Sequence, residues 1–143
     1  MKKYLVLILV ALAFCSFTFK DNAADFNFVG KWKSEDKTEK NSGFILEADG
    51  FAYMFKDAQK MGGKNFEVNG TKGSMKYTVD KKSNPIKLDI IIAINKPKVE
   101  TKKMLMLVKI VDNNTLSIAA EGGDNERPTK FTKENTVTFK RVK

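Results

Sequence analysis

The chain has 143 residues, 42% of them hydrophobic and 30% charged, which suits one folded domain and excludes a disordered or fibrous chain. Its formal charge is +9, but only Arg127 and Arg141 are arginines and the lysines are scattered among acids. A specific nucleic-acid reader, which relies on arginine forks for bidentate contacts, is therefore not expected, although weak adhesion to anionic surfaces suits the charge.

The chain opens "MKKYLVLILVALAFCSFTFK": two lysines, an apolar run, then small and polar residues, the layout of a secretory signal peptide. The charge-free run ends at Phe19, short of the roughly 20 residues of a spanning helix. A signal-peptide helix over residues 1–24 is expected, with the mature domain over 25–143. Two processing routes are open: cleavage at Ala23-Ala24, or lipidation at Cys15, which Phe14 precedes where a small residue is usual. The product is periplasmic or secreted in the first case and an outer-membrane lipoprotein in the second. Cleavage after Ala24 leaves no cysteine, and so no disulfide or thiol chemistry.

From residue 25 onward the pattern is short runs of β-forming residues separated by turn chemistry. "GKWKSE" (30–35) is a strand carrying the sole tryptophan, Trp32. "GFILEADGFAYMFKD" (43–57) reads as a hairpin turning at Asp49-Gly50, with Phe51, Tyr53 and Phe55 on one face. "AQKMGGKN" (58–65) reads as a loop, and "FEVNGTKGSMKYTVD" (66–80) as a second hairpin around Asn69-Gly70.

Pro85 stands at a strand entry, where its missing donor does little harm. "IKLDIIIAIN" (86–95) and "KKMLMLVKIVD" (102–112) are the most apolar strands, joined by a loop over 96–101. Their middles are apolar on both faces and need covering on both sides or a partner. A strand over 113–121, a loop over 122–131 and a last strand over 136–142 complete the series. Eight to ten antiparallel strands in so short a chain close naturally into a single up-and-down β-barrel. An all-β fold with one barrel is the expectation.

The opening "FNFVGKWKS" (26–34), with Gly30 and Trp32, resembles the Gly-X-Trp start of lipocalins and related calycins. "GSMKYTVD" (73–80), "NPIKLDI" (84–90), "VDNNTLSIA" (111–119), "RPTKF" (127–131) and "VTFKR" (137–141) follow in order. Together they resemble one lipocalin-like domain family of mostly secreted bacterial proteins. The resemblance implies a barrel with Trp32 lying across one end and a final-strand arginine packed on it. Arg141 is the candidate for that contact and Arg127 its rival, while Gly30 would let backbone pass close to the ring. The family carries no catalytic residues over to this chain.

Chemistry has little to stand on here. No histidine is present, so the commonest metal ligand and the commonest base near neutral pH are missing. Acid pairs such as Glu35-Asp36 and Asp124-Glu126 fall in predicted loops, and neither "MGGKN" nor "EGGDN" has the strand-to-helix setting of a phosphate loop. No enzyme, cofactor or metal site is expected. A small barrel can instead hold one apolar ligand in its mouth. Strand alternation nominates Phe51, Tyr53, Phe55, Tyr77, Met104, Met106 and Phe139 as inward residues, which either bind that ligand or interlock as core. Two uses remain: a monomeric binder of a small hydrophobic ligand, or a module for an envelope protein partner acting through a barrel face or the 58–65 and 96–101 loops.

Overall fold

A computed structural model describes residues 23–143; the expected signal peptide and Cys15 lie outside these residues. The described residues form ten antiparallel strands: β1 Gly30–Ser34, β2 Ser42–Leu46, β3 Ala52–Lys56, β4 Gln59–Gly62, β5 Phe66–Val68, β6 Thr71–Asp80, β7 Ile86–Asn95, β8 Val99–Asp112, β9 Thr115–Ala119 and β10 Thr136–Val142. The all-β expectation holds, with two differences in extent. The Gln59–Gly62 part of the expected 58–65 loop is β4, and β8 begins at Val99, inside the expected 96–101 loop. Both segments are polar and satisfy their backbone by hairpin pairing, a tertiary gain that composition does not display.

The strands form one sheet in the order β4-β3-β2-β1-β10-β9-β8-β7-β6-β5, each paired with its chain neighbour except where β1 meets β10. That pairing sets Trp32 opposite Arg141 and Ser34 opposite Phe139. Turn chemistry fixes the hairpins: Gly50 has φ 87°, and Asn69-Gly70 has φ 50° and 74°, the doubly positive pair that a two-residue turn between strands requires.

The sheet curls into a nearly closed barrel. Its free ends, β4 and β5, are consecutive in the chain and joined at one end by residues 63–65. There the wall is stitched shut: the Gly63 N–H donates to the Ala52 carbonyl (2.8 Å), Met75 N–H to Gly63 (2.8 Å) and Tyr77 N–H to Gly50 (3.0 Å), with Phe51 bridging to Lys76. Beyond this seam, β4 and β5 have no strand partner on their outer edges among the described residues.

Alternation sends Trp32, Phe44, Leu46, Ala52, Met75, Leu88, Ile90, Met106, Val108, Leu116 and Ile118 inward, and all are buried. Each large side chain among them contributes about 1.5–3 kcal/mol by leaving water. The two-sided apolar run of β8 is covered as its composition demanded. The segment after β9 lies over its outer face, where Asn125 N–H donates to the Lys103 carbonyl (2.9 Å) and Arg127 Nη1 to the Met106 carbonyl (2.9 Å). Leu107, which faces outward, is consequently buried, as is Pro128 in the covering segment.

Candidate functional site

The two ends of the barrel differ. At the seam end the segment before β1 folds under the opening, bringing Phe26 and Phe28 against Trp32. The Phe26 and Phe28 rings meet edge-on at 4.7 Å, and Phe26 stacks on Trp32 at 6.2 Å. Trp32 is fully buried, and its indole N–H donates to the Phe28 carbonyl at 2.9 Å, so the ring brings no unsatisfied donor into the core. The Arg141 guanidinium lies 4.2 Å from the Trp32 ring. Its Nη1 donates to Val29 (2.7 Å), and its Nη2 to Asn27 (2.8 Å) and Asn113 (3.3 Å). One arginine thus ties the entering segment to the β8–β9 turn, and burial lowers its pKa from the ordinary value.

Two expectations are corrected here. Arg127 does not pack on Trp32. It forms a bidentate pair with Asp89 at 2.7 and 2.9 Å and clamps the segment covering β8. Gly30 clears space for Arg141 rather than for backbone passing the indole: a Cβ on Gly30 would stand 2.8 Å from Arg141 Nη1, and φ there is 142°.

Above the sealed end lies a cavity of about 1120 Å³, comparable with the largest small-molecule sites, which run to about 1,000 Å³. Phe44, Met54, Ile90, Met104, Met106, Ile118, Val137 and Phe139 line it from inside, with Met61 and Phe66 along the unpaired edges. Polar lining residues come from strand ends, edges and loops, among them Glu39, Lys56, Gln59, Glu67 and Asn135. Glu39 and Lys56 pair there at 3.1 Å. The site is an apolar interior with a hydrogen-bonding margin. Among the described residues no group of three or more His, Cys, Asp or Glu is placed to hold a metal ion.

Of the seven nominated residues, Met104, Met106 and Phe139 are brought together on the cavity wall. Tyr77 points inward at the sealed end, where its hydroxyl donates to the Glu47 carbonyl at 2.8 Å and helps hold the seam. Burial, then the charge of Asp49, raises its pKa. Phe51, Tyr53 and Phe55 do share a face, but it is the outer one. Trp32 is opposite Phe44 and Phe44 opposite Met54, so parity sends Ala52 and Met54 inward and the three aromatics outward. Tyr53 and Phe55 meet the cavity margin only along β3, and Phe51 is not part of it.

The aromatics are tolerated outside because glycine and lysine accommodate them. Phe55 lies across Gly43 and Tyr53 across Gly63, where an added Cβ would come within 2.8 and 2.6 Å of the rings. Lysine ammonium groups stand over the rings: Lys31 on Phe55 at 4.5 Å, Lys60 on Tyr53 at 4.3 Å, and Lys64 and Lys76 on Phe51 at 5.4 and 5.6 Å. The missed cavity residues, Phe44 and Met54 above all, could have been found by carrying parity from Trp32 through the first two hairpins instead of assigning bulk to the interior.

The chain matches no protein-family model, no curated protein and no solved structure.

Proposed function

We propose that this is an exported, lipocalin-like binding protein of the bacterial cell envelope that holds a small hydrophobic or amphipathic ligand inside the barrel. The observation that carries the reading is the apolar cavity of about 1120 Å³ above a sealed end. The space opens to solvent along the unpaired edges of β4 and β5 and is predominantly apolar within, the arrangement of a small-molecule site. The apolar wall takes the ligand's body, and the polar margin takes any head group. Export rests on the layout of residues 1–24; whether the product is free or anchored depends on Cys15. Cys15→Ala abolishes the membrane fractionation that survives a high-salt wash if that residue is lipidated, and unchanged salt-resistant partition removes the anchored form.

The test is titration with a solvatochromic apolar dye, followed by its emission. The wild-type chain is expected to bind and shift the dye to shorter wavelength, whereas Met104→Gln/Met106→Gln, which sets two amides into the apolar wall, binds it at least about tenfold more weakly while still melting cooperatively. Equal binding by the double variant overturns the cavity reading.

A specific observation favours a second use. β4 and β5 present unpaired edges with Met61 and Val68 exposed, which is the surface an extended strand from another protein would extend. Native mass spectrometry of protein from its own host separates the two, since the first reading predicts a co-purifying small molecule and the second a polypeptide.

A further inference from the structure

Sequence order scatters the lysines, but the barrel gathers a set of them. On the outer face of β1–β4 and the strands beside it, register places Lys33 between Lys140 and Gly43, Gly43 next to Phe55, and Phe55 opposite Lys60. The adjoining row runs Lys31, Ile45, Tyr53 and Gly62, with Val142, 41% exposed, at its far end. Lys76 stands over Phe51 beyond it. Lys31, Lys33, Lys60, Lys76 and Lys140 have no carboxylate within ion-pair distance among the described residues. Acids lie at the margins: Lys64 reaches Asp49 only at 3.9 Å, and Glu39 is engaged with Lys56.

We propose that this face docks the protein on an anionic phospholipid surface. Three observations select that partner. The charges are lysines, strongly hydrated point charges that suit head-group phosphates without demanding bidentate geometry. Lys31, Lys60, Lys64 and Lys76 stand above half-buried rings, so contact is made at head-group level by ammonium groups, without insertion of a wedge. The face is the outside of a curled sheet, a broad surface without the groove that tracks a single-stranded nucleic acid. It also borders the cavity: on β4, Lys60 belongs to the docking face while the next residue, Met61, lines the cavity beside the unpaired edge. Docking therefore brings that edge to the lipid. This last point rests on the cavity reading; the docking itself does not.

Co-sedimentation of the full chain with vesicles tests it, using phosphatidylcholine alone and phosphatidylcholine mixed in equal parts with phosphatidylglycerol. Binding to the mixed vesicles is expected to exceed binding to phosphatidylcholine alone, and the excess weakens as salt is raised. Each lysine near an anionic surface is worth about fivefold in partition, so Lys31→Glu/Lys60→Glu/Lys76→Glu lowers binding about a hundredfold or more. Lys87→Glu/Lys109→Glu/Lys103→Glu, on the outer face of β7–β8, changes net charge equally and retains most of it. All variants carry the same residues 1–24, so any contribution from that segment cancels, and matched melting curves show that each variant is folded. Equal loss in the two triple variants, absence of any phosphatidylglycerol dependence, or binding to soluble alginate or single-stranded DNA but not to vesicles overturns the proposal. Met104→Gln/Met106→Gln, which leaves the net charge as it is, leaves vesicle binding unchanged, so failure of the cavity reading is visible separately.

Discussion

At Trp32 three kinds of interaction coincide: full burial of the ring, a satisfied indole N–H and a cation against one face. Trp32→Ala is expected to destabilise the domain by about 3–5 kcal/mol, read from urea midpoints, and unchanged melting would remove the sealing role. Arg141→Lys keeps the charge but cannot reach Val29, Asn27 and Asn113 with one head group. A loss of about 2 kcal/mol is expected, and a fully stable lysine variant would show that charge alone suffices. The turns contribute a pH dependence. Asp112 has a lowered pKa because the Asn114 N–H, then the Thr115 hydroxyl, favour its carboxylate; Asp36 is lowered likewise by the Thr38 N–H and hydroxyl. Since the folded pKa lies below the unfolded one, their stabilisation is present above the ordinary carboxylate value and disappears as pH falls through the folded value. Asp112→Asn should therefore flatten the acid limb of a melting-temperature profile, and a profile parallel to the wild type would exclude this contribution.

At the level of elements, the segment covering β8 is held by one side-chain clamp. Arg127→Met removes the bidentate contact to Asp89 and the bond to the Met106 carbonyl. The expected cost is about 2 kcal/mol, accompanied by faster amide exchange in residues 122–131 but not in β1 or β10. Confinement of the change to global stability would show that the clamp is not local. How far the sequence carries depends on the kind of element. The turns at Asp49-Gly50 and Asn69-Gly70 and the apolar strands were legible because backbone demands and hydrophobic runs are local. β4 was not, because "QKMG" becomes a strand only by pairing with β3. The sealing tryptophan and arginine followed from a resemblance and are found in place. The aromatics of β3 face outward against the expectation from bulk: parity carried from Trp32 gives their direction, but the Gly43, Gly63 and lysine contacts that make the outer face stable for them come from other strands.

For the whole molecule, the packed, sealed end is separate from the apolar cavity above it. Anything that occupies the cavity only when the barrel is folded must stabilise it. Apolar dye at a hundred times its dissociation constant should add about 2.7 kcal/mol to unfolding, and Met104→Gln/Met106→Gln, binding about tenfold more weakly, should cut that gain to about 1.4 kcal/mol or less. The pairing of β1 with β10 has a further consequence in time. Arg141 donates to Val29 across 112 residues and to Asn27 across 114, so the cover on Trp32 cannot form until β10 has been made. Such a topology folds slowly. The only tryptophan is therefore an intrinsic fluorophore at the last place to lose water, and its emission times barrel closure without a label.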